Sequence, residues 1–327
     1  MRIAIVGCGA LGSYYGACLA RQGLEVHFLL RSDFETVRDH GVVIHSPAGD
    51  FQVRPRVARD PAEIGPVDLV LIGLKTTAND AFPRLLPPLV GPETLLLTLQ
   101  NGLGNEEALA RHFPAGRILG GLCFVCLNRR EPGVIQHLAH GRILLGEYRR
   151  RPGPRTDALA GMFRQAGVPC DLADDLDLAH WQKLVWNIPF NGLGVAAAAG
   201  RLAMDTGRVD PEAGLGPCLA TDRLLADPGW SALVGELMAE VMAAARAGGW
   251  PLDPAYADFE VRRTREMGSY RASTLVDFEM GRPLELDSLF REPLRRGREA
   301  GAVLPRLGCL CAVLGALDAR RGGQFGG

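Results

Sequence analysis

At 327 residues the chain exceeds what one compact core usually holds, so two domains are expected. Apolar residues make up 47% and charged residues 22%, a balance that excludes a disordered or fibrous chain. With 36 basic residues against 37 acidic ones and no basic run, nucleic acid is excluded as an expected partner.

The opening Met1-Arg2-Ile3-Ala4-Ile5-Val6-Gly7 reads as a strand and not as a targeting segment. No stretch approaches the ~20 apolar residues of a membrane span, so a cytoplasmic chain without a membrane partner is expected. From Met1 to about Asp174 short apolar runs alternate with helical patterns. This predicts α/β architecture, a mostly parallel, doubly wound sheet of Rossmann type. Strands are predicted at Arg2–Val6, Val26–Leu30, Leu69–Leu74, Thr94–Leu99 and Ile118–Val125, and helices at Leu11–Gln22, Phe34–His40, Asn79–Leu86 and Glu106–His112. Gly41–Val57 and Gly133–Glu147 alternate about Pro-Ala-Gly and His-Gly turns and predict hairpins added at the sheet's edge.

After Asp174 apolar residues recur at helical spacing, as at Leu233, Leu237, Val241 and Ala244, so an all-α C-terminal domain is predicted. The expected boundaries are 1–174 for a nucleotide-binding domain, 175–320 for a helical substrate domain and 321–327 for a disordered tail. Met204 to Asp227 has no clear period and predicts a long loop or lid. Of the eight cysteines, the closest pairs are Cys123/Cys126 and Cys309/Cys311. Neither has a second pair or a histidine at metal spacing, so buried thiols and no metal site are expected.

Gly7-Cys8-Gly9-Ala10-Leu11-Gly12 follows a strand and opens a helix. There Gly7 can make the tight turn, Gly9 can let backbone approach a pyrophosphate, and Gly12 can seat helix on strand. The helix N-terminus then presents free N–H groups to the phosphates. The second strand ends in Arg31, where NAD-binding relatives of this architecture carry an acidic residue for the ribose. A guanidinium there suits a 2′-phosphate, which favours NADPH. Asp33, two residues on, reads either as a ribose ligand for NAD or as the cap of the next helix.

Lys183, Asn187 and Asn191 stand at i, i+4 and i+8, so a helix places them on one face, with Trp181, Leu184, Val185 and Ile188 turned elsewhere. A cation and two amides beside tryptophans suit a half-buried cleft, although an exposed polar face is the commoner fate. Pro189 predicts a kink or early end. Ser273 and Glu285 flank the break Gly281-Arg282-Pro283. On their own they read as a cap or solvent-facing hydroxyl and as a first-turn carboxylate favoured by the helix dipole.

Taken together, Gly7 to Gly12 with Gly16, Gly73-Leu74-Lys75, Gln100-Asn101-Gly102-Leu103-Gly104, Trp181 to Asn191 and Ser273 to Glu285 resemble the ketopantoate reductase family over nearly the whole chain. The resemblance implies an NADPH-binding Rossmann domain and a helical domain that closes a cleft in which 2-dehydropantoate is reduced to pantoate for coenzyme A synthesis. It implies Lys183 as general acid, with Asn101, Asn187 and Asn191 orienting substrate. It further implies Ser273 and Glu285 at the substrate's carboxylate and hydroxyl ends, and Lys75 near nicotinamide and substrate. A small 2-oxo acid is the expected partner, and a homodimer stays open. The family often has Ser-Ser-Met ahead of the position of Asp277, whereas this chain has Ala272-Ser273-Thr274, which leaves the identity of the oxo acid open. Two other readings remain: a dehydrogenase acting with NAD on another hydroxy acid, and a nucleotide-sensing protein without catalysis.

Overall fold

A computed structural model describes residues 1–322. The chain divides into two compact units, Met1–Ala179 and the part from His180 onward. In the first, the strands are β1 (Arg2–Val6), β2 (Glu25–Leu29), β3 (Val42–His45), β4 (Phe51–Val53), β5 (Arg56–Ala58), β6 (Val67–Ile72), β7 (Val90–Thr98), β8 (Ile118–Glu131), β9 (Val134–Glu147) and β10 (Cys170–Leu172). They form one sheet in the order β4-β3-β9-β8-β7-β6-β1-β2-β5, with β10 pairing β9. The run from β5 to β8 is parallel. The β8/β9 and β3/β4 pairs are antiparallel, which makes the sheet mixed.

The parallel strands are apolar on both sides because both faces are covered. Ile3 and Ile5 of β1 join one cluster with Tyr15, Leu69, Leu71 and Leu97. Ala4 and Val6 join another with Val70, Ile72, Leu96 and Phe82. The helices of this unit are α1 (Ala10–Arg21), α2 (Phe34–His40), α3 (Pro61–Ile64), α4 (Phe82–Leu85), α5 (Asn105–Ala110) and α6 (Pro154–Gln165).

Three local expectations change. The hairpin expected to turn at His140-Gly141 turns instead at Pro132-Gly133, where Pro132 fixes its own φ and Gly133 takes φ 74. Beyond it β9 runs unbroken to Glu147 along β8, and His140 (φ 66) with Gly141 (φ 126) makes a bulge opposite Phe124/Val125, where the register shifts. β3 and β4 do form the other hairpin, but β5 leaves it to pair with β2 at the far edge. The helix expected over Asn79–Leu86 is a 3-10 run, Thr76–Ala81, followed by the short α4, since Pro83 and Pro87 deny the ladder two donors.

α7 (Leu176–Ala196) begins in the first unit and continues into the second, passing through Pro189 without ending there. The second unit then holds α8 (Arg201–Thr206), α9 (Thr221–Ala226), α10 (Pro228–Ala247), α11 (Ala255–Glu266), α12 (Ser273–Glu279), α13 (Glu292–Glu299) and α14 (Pro305–Gly322). Leu233, Leu237, Val241 and Ala244 form the buried face of α10. The aperiodic Met204–Asp227 stretch contains the end of α8, an irregular segment and α9. Residues 321 and 322, expected in a disordered tail, belong to α14, and 323–327 lie outside the described residues. Among the described residues no helix is long and apolar enough to cross a membrane.

Candidate active site

The glycine turn sits at the carboxyl end of β1, between β2 and β6, where the sheet's strand order reverses and open α/β sheets bind ligands. Gly7 adopts φ 101, and a Cβ there would lie 2.2 Å from the Leu74 nitrogen. A Cβ on Gly12 would lie 2.2 Å from the Gly7 oxygen, and one on Gly16 2.6 Å from the Phe28 ring. These contacts press α1 onto the sheet. Gly9, the N-cap of α1, has nothing within 4 Å of its Cβ direction, and the first turn of α1 carries no acidic residue. That open, glycine-lined helix start fits a pyrophosphate. Cys8 and Leu11 pack against the core cluster, and Cys8 Sγ lies 3.5 Å from the Ile5 carbonyl, so these two residues offer a ligand mainly backbone.

Lys75, exposed, follows β6, and Asn101, part-buried, follows β7, so the two stand on loops at the carboxyl ends of neighbouring strands. A partly buried chain of amides fixes the second loop. Thr98 Oγ1 donates to Gln100 Oε1 at 2.9 Å, and Gln100 Nε2 donates to Asn79 Oδ1 at 2.8 Å. Asn79 Nδ2 donates to Asn105 Oδ1 at 3.1 Å, and Asn105 Nδ2 donates to the Asn101 carbonyl at 3.0 Å. Sequence reasoning assigned nothing to Asn79 or Asn105, which are 26 residues apart and carry no shared motif.

Arg31 is exposed and makes no hydrogen bond or ion pair among the described residues. Asp33 is buried, but its side chain does not cap α2, which removes one of its two sequence readings. Its Oδ1 accepts instead from Ser32 Oγ at 2.8 Å and from Arg129 Nη2 at 2.7 Å.

In the second unit Lys183, Asn187 and Asn191 lie along α7, the lysine half-buried and the amides 7% and 3% exposed. Trp186, between them in sequence, is held by Thr264 Oγ1, to which its Nε1 donates at 2.8 Å, and by the Phe190 and Tyr270 rings. Asn191 Oδ1 accepts from Ser273 Oγ at 3.2 Å and from the Thr274 backbone N–H at 3.0 Å. It therefore caps the start of α12 from another helix, at a place where Ala272 has no side chain to do so. Asn191 Nδ2 lies 3.5 Å from Asn187 Oδ1, which links the two amides weakly. Thus Asn187, Asn191 and the exposed Ser273 form one polar row.

Glu285 is buried just ahead of a single π-helical turn, Asp287–Arg291. Its neighbour Leu284 donates its N–H to Asp318 Oδ1 on α14 at 3.3 Å. On the other side, the Arg282 N–H donates to the Asp277 carbonyl at 2.8 Å, which closes the Gly281-Arg282-Pro283 break.

Comparison with known proteins points to one family over nearly the whole chain. The family model Ketopantoate reductase PanE/ApbA matches residues 3–150, and Ketopantoate reductase PanE/ApbA C terminal matches residues 209–318. The chain is 40% identical over 332 residues to a 2-dehydropantoate 2-reductase of Nostoc sp., covering 99% of this chain and 98% of the relative. It is similar to the crystal structure of 2-dehydropantoate 2-reductase from Geobacter metallireducens, with 47% identity over 97% of this chain and 99% of that one and a TM-score of 0.88. The corresponding structure from Methylococcus capsulatus has 33% identity, covers 100% of both chains and gives a TM-score of 0.87. With both family models matched in order and relatives covered end to end, the chain belongs to the ketopantoate reductase family of NADPH-dependent oxidoreductases.

Proposed function

We propose that this chain reduces 2-dehydropantoate to pantoate, with the first unit holding NADPH and the second supplying the proton and the substrate contacts. The observation that carries the reading is the row Lys183, Asn187, Asn191 along α7, tied through Asn191 to Ser273. Bound NADPH supplies a hydride to the 2-carbon. Lys183 then gives a proton from its ammonium to the carbonyl oxygen, completing the alcohol. Before the transfer the same cation stabilises charge building on that oxygen, and a positioned acid of this kind typically contributes ~10²–10⁴ in rate.

A 2-oxo acid also presents a carboxylate, which needs donors. The Asn187 amide supplies one, and the Ser273 hydroxyl supplies another by turning its single proton from Asn191 Oδ1 to the carboxylate, without a second cation; Glu285 accepts from the hydroxyl end of the substrate. Asn191 acts by holding Ser273 in place, and its oxygen is already engaged by α12. Asn101 and Lys75, at strand ends of the first unit, hold the nicotinamide half of the cofactor, the former on a loop braced by the amide chain. All eight cysteines are free thiols, which supports a reducing, cytoplasmic setting.

Following NADPH oxidation across a panel of 2-oxo acids tests this reading. The highest kcat/KM is expected for 2-dehydropantoate. Another acid that exceeds it by about tenfold would replace the substrate, and no turnover with any of them would remove the enzyme reading.

A further inference from the structure

We propose that Arg129 sets the site's preference for a 2′-phosphorylated nucleotide by neutralising Asp33 at the end of β2. The inference rests on the reading that the adenosine ribose lies beside Arg31. A carboxylate at the end of the second strand is the feature with which dinucleotide folds hold free ribose hydroxyls, and it repels a 2′-phosphate. This chain carries opposing groups on one turn, Arg31 exposed and Asp33 only 5% exposed.

The Asp33 carboxylate lies close to the glycine turn. The Cys8 thiol is pushed up first by burial and then by the charge of Asp33. Unpaired, that carboxylate would set a buried negative charge where a phosphate must come. Arg129 prevents this with its 2.7 Å ion pair, reaching Asp33 from 96 residues away in sequence.

The fold delivers the guanidinium. β8 runs well beyond its parallel partner β7 to the Pro132-Gly133 turn, which rests against α2 and β3. A Cβ on Gly133 would lie 3.0 Å from the Gly41 carbonyl and 3.4 Å from Val37 Cγ2. A second carboxylate of the segment, Glu35, is taken by Arg38 at 2.6 Å and by Arg59. Asp39, the third acid between β2 and β3, pairs with Arg38 as well, at 2.7 Å. All three acids are therefore matched by guanidiniums, and the cation of Arg31 is left over for the 2′-phosphate. Arg129 is a positioning residue, acting through Asp33.

Calorimetric titration of the full chain with adenosine 2′,5′-bisphosphate and with 5′-AMP tests this without turnover. In Arg129→Met the ratio of the two affinities is expected to fall about tenfold or more, through weaker bisphosphate binding. In Asp33→Asn it should not fall, and in the double variant Asp33→Asn/Arg129→Met it should return to within about threefold of wild type. Arg129→Gln, which keeps a donor without the charge, repeats the test should the methionine variant fail to fold. Equal weakening of both ligands in Arg129→Met, or no recovery in the double variant, would mean that Arg129 is merely structural and overturn the proposal. Arg31→Met separates the underlying reading. Loss of preference there but not in Arg129→Met removes the role of Arg129 alone, whereas no loss in Arg31→Met removes the ribose placement itself.

Discussion

Replacing Asn191 separates its structural work from its chemical surroundings. The side-chain oxygen accepts two hydrogen bonds, from Ser273 Oγ and the Thr274 N–H, and Thr274 is only 3% exposed. Asn191→Leu keeps the volume but leaves that N–H buried and unpaired, at a cost of about 1–3 kcal/mol. For a unit of this size the melting temperature should fall by about 2–10 °C. Asn191→Asp keeps the acceptor and adds charge at the start of α12, where the helix dipole favours it, so stability should stay within about 1 kcal/mol of wild type. The same charge stands beside Ser273, which is proposed to meet the substrate carboxylate. The KM for 2-dehydropantoate should therefore rise about tenfold or more while the melting temperature holds. Thermal melts followed by circular dichroism, paired with steady-state kinetics, read both effects. If the leucine variant melts like wild type, or the aspartate variant loses as much as the leucine one, Asn191 does not hold α12 and the reasoning fails.

Gly12→Ala forces a Cβ to within 2.2 Å of the Gly7 carbonyl. The turn must shift, so NADPH should bind about tenfold or more weakly, alongside a stability loss of about 1–3 kcal/mol; an unchanged Kd by fluorescence titration would contradict the placement of the phosphates. Burial alone would raise the Glu147 carboxyl, yet hydrogen bonds from Arg155, Thr156 and Arg150 outweigh it and hold the group down at about 2. Because that lies below the ordinary 4.5, the stabilisation is complete above 4.5 and disappears as pH falls through about 2. Glu147→Gln should lose on the order of 3 kcal/mol at neutral pH, and its deficit against wild type should shrink on acidification; a deficit independent of pH would contradict the pairing. Asn79→Ala orphans Gln100 Nε2 and Asn105 Oδ1, at a cost of about 1–3 kcal/mol. Thr98→Val, which removes the far end of the same chain, should be non-additive with it in a double-mutant cycle.

Much of the fold follows from short-range pattern. β1, the glycine turn and α1 are contiguous, and their period-2 and glycine signals need no distant partner to be read. The face of Lys183, Asn187 and Asn191 follows from helical spacing alone. What escaped the sequence is long-range. Arg129 and Asp33 meet across 96 residues, and Ser273 reaches Asn191 across 82. No local pattern announces either pair. Asp33 reads as a cap because capping is the local option for an aspartate before a helix, but an ion pair with a guanidinium took its place. The turn of the β8/β9 hairpin was misplaced for a related reason: His140-Gly141 and Pro132-Gly133 both carry turn chemistry, and only pairing along β8 decides which one reverses the chain. Pro189 predicts an interruption that does not end α7, whose flanking turns are buried by Trp181, Leu184, Ile188 and Leu193. Packing outweighs one missing donor there.

The most direct test of the central claim is the rate of NADPH oxidation with saturating 2-dehydropantoate, in wild type and in Lys183→Ala, with the NADPH dissociation constant measured on both. If Lys183 gives the proton, kcat falls by about 10²–10⁴ while the dissociation constant stays close to that of wild type. A variant that keeps kcat within about threefold of wild type would show that the proton comes from elsewhere.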